Sequence, residues 1–277
     1  MLSLHTNNAA LSAQSSIGRT QGGLSTSMTR LSTGFRINSA MDDAAGLQIA
    51  TRLKSQTSGM AVAMRNTQNA TSMIQTAGGA LAEVKNMLIR MKDLATQSAD
   101  GSSSAADRTA LQAEFADLQA EIANIVENTT FGGTKLLKTG EGFGADVTLQ
   151  IGATSSEQMT IKVGTAVGAI ATGAAATALK VGLQTDANTS INAVQLVIDK
   201  VSEVDSALGG AANRLQHVHN NLSNISSNTK AAIGRIMDTD FATESANMTK
   251  NQMLTQAGTA MLKQSNQMSQ MVMSLLQ

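Results

Sequence analysis

Between residues 194 and 236, thirteen positions advance in alternating steps of three and four. They are Val194, Val197, Val201, Val204, Leu208, Ala211, Leu215, Val218, Leu222, Ile225, Thr229, Ala232 and Ile236, and only Thr229 is not apolar. This is a heptad seam, and it predicts one long helix whose apolar edge must lie against other helices. Gly209 and Gly210 sit inside it at a cost of about 1 kcal/mol each, which tertiary packing must offset.

The front half carries matching signals. Ile74, Ala77, Leu81, Val84, Leu88, Met91 and Ala95 form a second seam, which stops at the turn cluster Asp100-Gly101-Ser102-Ser103-Ser104. Leu111, Phe115, Leu118, Ile122 and Ile125 follow on a third helix, and the short connection predicts antiparallel neighbours. Before these, Leu4, Leu11, Ile17, Leu24, Met28, Leu31 and Phe35 read as one helical stripe broken by a single six-residue step. A polar connection, Arg36 to Gly46, holds Asp42 and Asp43, which suit the cap of a short helix through Leu47, Ile49, Ala50 and Leu53.

From Phe131 the period changes. Gly132-Gly133 opens a loop, and Val147, Leu149, Ile151 and Met159, Ile161, Val163 alternate with polar residues, predicting one β-hairpin. Residues 164–189 are rich in Gly, Ala and Thr and predict a small irregular insert, either a compact wrap or a flexible linker. Asp238-Thr239-Asp240 caps a last helix, where Leu254, Met261, Met268 and Leu275 recur every seven residues. The order is nested, so the two ends must return to each other. The expected fold is mainly α, a long antiparallel helical bundle or coiled coil with a small β-hairpin insert. Its expected divisions are 1–42 with 236–277 as terminal helices, 43–130 with 190–235 as a helical domain, and 131–189 as the insert.

Composition narrows the function. Residues 1–18 and 264–277 hold no Asp, Glu, Lys or Arg. Uncharged amphipathic ends fit segments that bury against copies of themselves. Formal net charge is zero, so no basic face advertises nucleic acid. With no Cys there are no disulfides or thiolate metal sites. No run reaches the ~18 apolar residues of a membrane span, so no membrane insertion is expected, and the first residues lack the pattern of a cleaved secretory signal. The absence of Pro and Cys suits a chain that travels unfolded. His217 and His219 stand roughly 200° apart on a helix and cannot share a metal. No catalytic pairing, metal site or cofactor motif emerges, so an enzyme is not expected.

Longer words of sequence carry a resemblance. Leu31-Ser32-Thr33-Gly34-Phe35-Arg36-Ile37-Asn38-Ser39-Ala40 followed by Asp42-Asp43-Ala44-Ala45-Gly46, and Arg65-Asn66-Thr67-Gln68-Asn69-Ala70, resemble the N-terminal region of bacterial flagellins. Arg235 to Glu244, Gln256-Ala257-Gly258-Thr259 and Ser274-Leu275-Leu276 resemble their C-terminal region. The resemblance covers about 1–140 and 190–277. It implies a secreted subunit of the extracellular bacterial flagellum, a helical homopolymer for swimming motility, in a short form with a minimal outer domain. It also implies type III export without leader cleavage, folding on polymerisation, and an export chaperone, a filament cap and hook–filament junction proteins as partners. Ser269 stands where the family often has Pro, so the last helix should run unbroken to near Leu276.

The expected self-assembly residues are Leu4, Leu11, Ile17, Leu24, Met28, Leu31, Leu254, Met261, Met268, Val272 and Leu275. Arg36, Asp42 and Asp43 are candidates for polar contacts between subunits, or else for helix caps and solvated turns. Ile89 to Thr96 resembles the stretch that the animal Toll-like receptor for flagellin recognises, with Arg90, Leu94 and Glu114 at matching positions. Helical phase puts Arg90 away from the seam and Leu94 at its margin. Two other readings are a hook–filament junction protein and a membrane-active amphipathic protein. The second is disfavoured by the lack of Lys and Arg on the polar faces of the ends.

Overall fold

The computed structural model describes residues 7–174 and 179–275, with side chains described up to Met268 except at Ala174. Its helices are α1 (Asn8–Thr33), α2 (Ala44–Ala99), α3 (Ala105–Asn128), α4 (Gly164–Ala174), α5 (Gln184–Met237) and α6 (Phe241–Leu275). Two small antiparallel sheets lie between α3 and α4: β1 (Thr130–Phe131) with β2 (Thr134–Lys135), and β3 (Val147–Gln150) with β4 (Gln158–Ile161). The chain divides into two compact units, Met1–Ser55 with Asn228–Gln277, and Gln56–Ser227.

In the second unit α2 and α5 run antiparallel. Thr67 Oγ1 lies 3.4 Å from His219 Nδ1 near one end of their contact, and Lys92 Nζ donates to Gln195 Oε1 at 2.6 Å near the other. Helix α3 folds back along α2, with Arg108 Nε donating to the Ser98 carbonyl at 3.0 Å and Arg90 paired with Glu114 further along. Their seams make one core. Leu81, Val84, Leu88 and Met91 of α2 meet Phe115 and Ile122 of α3 and Val194, Val201, Val204 and Leu208 of α5. Beyond Leu222 the buried phase slips. Ser226 is buried while Ile225 is 39 % exposed, the drift expected when a straight helix of 3.6 residues per turn carries a seven-residue repeat.

Leu47 to Leu53 belongs to no separate short helix; it is the start of the 56-residue α2. Among the described residues, α6 reaches Leu275 without a break, as Ser269 in place of a proline allows.

The insert joins the core of the second unit instead of standing apart. Leu136, Leu137, Phe143, Met159, Ile161, Val167, Ile170 and Val181 are all buried in that same core. The expected hairpin is present, pairing Val147 with Ile161 and Leu149 with Met159. Sequence reading missed β1 and β2, because a two-residue strand on either side of Gly132-Gly133 carries no alternation to detect. Of residues 164–189, α4, the stretch from Leu179 and the start of α5 take the compact form. Gln112 Oε1 accepts from the backbone N–H groups of Val181 and Gly182, and Ser98 Oγ donates to the Val181 carbonyl. These bonds satisfy a buried backbone that has no sheet partner.

Helix α3 starts on a full capping box, with Ser104 and Asp107 each bonded to the other's backbone N–H. Gly209 and Gly210, by contrast, are not demanded by any neighbour: a Cβ at either would meet nothing within 4 Å. Gly209→Ala should therefore stabilise the chain by up to about 1 kcal/mol, read as a higher midpoint of thermal unfolding. A lower midpoint would show that something packs on this glycine.

Candidate functional site

The first unit is built on α1 and α6, which run antiparallel. Their seam differs from the one expected. Along α1 it follows Ala10, Ala13, Ile17, Thr20, Leu24, Ser27 and Leu31, all at least half-covered; along α6 it follows Glu244, Met248, Asn251, Thr255, Gly258, Leu262 and Ser265. Most of these residues are small or polar. Small residues let the backbones approach. Gly23 faces Asn251, whose amide nitrogen would lie 3.0 Å from an added Cβ, and Gly258 faces Ile17 at 2.7 Å by the same measure. Polar pairs tie both ends. Arg30 lies 3.7 Å from the buried Glu244 carboxylate, and Asn7 Nδ2 donates to the Ser265 carbonyl at 3.2 Å and to its hydroxyl at 3.1 Å.

The large apolar residues accordingly divide. Ile17, Leu24 and Leu31 line the seam, whereas Leu11 is 62 % and Met28 56 % exposed. The six-residue step between Leu11 and Ile17 is where the expected single stripe changes face. On α6, Leu254, Met261 and Met268 flank the seam and are 51 %, 67 % and 59 % exposed. Leu4 lies outside the described residues, as do the side chains of Val272 and Leu275. The polar seam residues were missed because apolar periodicity was the signal sought; small and hydroxyl residues in steps of three and four would have marked them.

The two long words of sequence meet in space. Phe35 and Asp238 form an isolated antiparallel bridge, in which Arg36 N–H donates to the Met237 carbonyl at 2.6 Å and Thr239 N–H to the Gly34 carbonyl at 3.0 Å. The Arg36 guanidinium adds a bond to the Ile236 carbonyl at 2.9 Å, at the negative end of α5. Gly34 ends α1 in the left-handed region, φ 75°, where a side chain would be strained. Gly46 has no room for one: a Cβ would stand 2.5 Å from Asp43 Oδ2 and 2.8 Å from Ile37 Cδ1.

The carboxylates of this connection serve their own turns. Asp42 Oδ2 accepts from the N–H groups of Asn38 and Ser39, both at 3.0 Å. Those two N–H groups hold its carboxyl below the usual value. Asp43 Oδ1 accepts from Gly46 N–H at 2.8 Å and so caps α2. Asp240 caps α6 through Ala242 N–H at 3.0 Å and the Thr243 hydroxyl at 2.7 Å, and the hydroxyl is the main reason its carboxyl is lowered too.

In the second unit, Arg90 and Glu114 form an exposed ion pair, with Nη2 at 2.7 Å and Nε at 2.8 Å from the same carboxylate oxygen. Leu94 is not at the seam margin; it is 1 % exposed within the core, because α3 covers the side of α2 that the α2 seam alone leaves open. His219 is half-buried beside Thr67, and His217 is exposed. Among the described residues there is no cluster of three or more potential metal ligands, and no helix is long and apolar enough to cross a membrane.

Known proteins give this arrangement a family. Residues 4–141 match the bacterial flagellin N-terminal helical region, and residues 191–276 the bacterial flagellin C-terminal helical region. A flagellin of Halalkalibacterium halodurans is 40 % identical over 249 residues, 90 % of each chain. The flagellar filament 31.3 kDa core protein of Treponema maltophilum is 35 % identical over 98 % of each. In fold alone, a solved structure of a proposed flagellar hook-associated protein from Vibrio parahaemolyticus is similar, with a TM-score of 0.56 and 17 % identity over 71 % of this chain and 100 % of the other. Both helical ends, the words that meet at the Phe35–Asp238 bridge among them, fall within the matched regions, and the chain belongs to the bacterial flagellin family.

Proposed function

We propose that this chain is the repeating subunit of a bacterial flagellar filament, an extracellular helical homopolymer for swimming. The family is structural and not enzymatic. The observation that carries the proposal is that Leu11 and Met28 on α1 and Leu254, Met261 and Met268 on α6 are left exposed on two helices whose seam is mostly small and polar residues. Such a pair gains little from itself and more from neighbours that cover these residues. A subunit of this kind travels unfolded through the flagellar export channel with a chaperone, and orders its ends at the growing tip beneath a cap protein. A heterologous contact that repeats without closing yields a filament. Leu4, Ile17, Leu24, Leu31, Val272 and Leu275 are assigned to the same terminal assembly. Arg36 is the candidate for a polar contact with a neighbouring copy, whereas Asp42 and Asp43 act within their own turn. Hook–filament junction proteins are the partners at the base.

A second role rests on the exposed Arg90–Glu114 pair. As a surface ion pair it contributes at most about 1 kcal/mol to the fold, so its loss leaves the subunit intact. The pair is proposed as a contact for the animal Toll-like receptor for flagellin, with buried Leu94 acting only by holding the helix face beneath it.

Full-length chain should elongate sheared filament fragments into micrometre-long polymers under the electron microscope, and a chain lacking 264–277 should stay soluble. Equal elongation by both would end the assembly reading, and short rings of few copies would favour a junction protein. Arg90→Ala combined with Glu114→Ala should abolish receptor signalling by monomer and leave filament growth unchanged. Undiminished signalling would remove the receptor role.

A further inference from the structure

Sixteen of the 277 residues are methionine, and the chain has no Cys, Trp or Tyr. Mild two-electron oxidation of this chain therefore falls on thioethers. These sulfurs span a range of environments, with Met64, Met73, Met87, Met237 and Met248 partly covered and Met28 and Met41 exposed to 56 % and 96 %. Met60, Met91 and Met159 are at most 3 % exposed within the second unit. On α6, Met253, Met261 and Met268 are 59 %, 67 % and 59 % exposed. Met261 and Met268 continue the seven-residue row begun by Leu254, and Met253 stands beside it.

We propose that Met253, Met261 and Met268 form an oxidation-sensitive site that a peroxide closes to self-association in the free subunit. In each, a sulfur lone pair attacks one oxygen of hydrogen peroxide. The S–O bond forms as the O–O bond breaks, sulfur loses two electrons, and the second peroxide oxygen leaves as water with both protons. The product is a sulfoxide, a polar and chiral group on the surface that a second copy must cover. Its oxygen is a strong acceptor, and burying it against apolar side chains without a donor weakens association on the order of tenfold for each sulfoxide. Once the row is covered by neighbouring copies the sulfurs are shielded, so the site reports on free subunits and spares assembled ones. Sulfoxide reductases reverse the change. This inference rests on the assembly reading above.

The test treats dilute full-length chain with graded hydrogen peroxide, maps sulfoxides by peptide mass, and then measures elongation on fragments of untreated polymer. Met253, Met261 and Met268 should gain oxygen before Met60, Met91 and Met159, with elongation falling at least about tenfold. The variant Met28→Leu/Met253→Leu/Met261→Leu/Met268→Leu, close in volume and with no peroxide-sensitive sulfur left at the four positions, should keep elongating after the same treatment. In peroxide-treated polymer the three sulfurs should remain reduced. Should the leucine variant itself elongate poorly, sulfoxide reductases must restore the oxidised natural chain; no recovery overturns the proposal. Undiminished elongation by oxidised chain, or equal loss by the leucine variant, overturns it alone. Failure of untreated chain to elongate overturns the assembly reading and this inference with it.

Discussion

Close approach, more than bulk, holds α1 to α6. A seam that sets Ala13, Thr20, Ser27, Asn251, Thr255 and Gly258 among Ile17, Leu24, Leu31 and Leu262 removes less apolar area from water than one of large residues throughout. It gains from short distances, as at Gly23 against Asn251 and Gly258 against Ile17, and from the polar ties Arg30–Glu244 and Asn7–Ser265. Helices paired this way are held in register more firmly than they are held together. That distinction leaves Leu11, Met28, Leu254, Met261 and Met268 outside the seam, and with them α1 and α6 keep faces to offer other chains.

The second unit follows the opposite logic. Its three long helices and the insert share one apolar core, with Phe115, Phe143, Leu136 and Leu215 fully enclosed. The loop carrying Val181 is fastened by Gln112 and Ser98 through backbone bonds, so the insert closes on the helices rather than hanging from them. Burial at this scale is what makes a unit stable by itself.

How much of this was legible depended on which force dominated. Where apolar burial decides, the spacing was sufficient: the seams of α2 and α3, that of α5 as far as Leu222, and the pairing of β3 with β4 follow from side-chain period alone. Where small residues or main-chain bonds decide, it was not. Leu11 and Met28 were grouped with Ile17 because residue size conceals which face a helix turns inward. Leu94 was set at a margin because one helix's seam says nothing of a third helix laid over it. The β1–β2 turn has too few residues to show a period. The words around Gly34, Gly46 and Asp238 were conspicuous as text long before their reason was visible, and that reason is backbone geometry: a left-handed helix end, a cap with no room for Cβ, and an antiparallel bridge.

That bridge joins two distant stretches of chain, and the bond from Arg36 to Ile236 beside it spans 200 positions. Closing so long a loop directly is entropically expensive and slow, and the cost falls only as the intervening chain becomes shorter in effect. Antiparallel pairing of α2 with α5 supplies that shortening, since contacts such as Thr67 with His219 carry the flanking segments toward each other. By that entropy argument, the least costly order pairs α2 with α5 before the bridge closes. A polypeptide ordered in that way would keep the exposed rows of α1 and α6 uncommitted while its own interior forms.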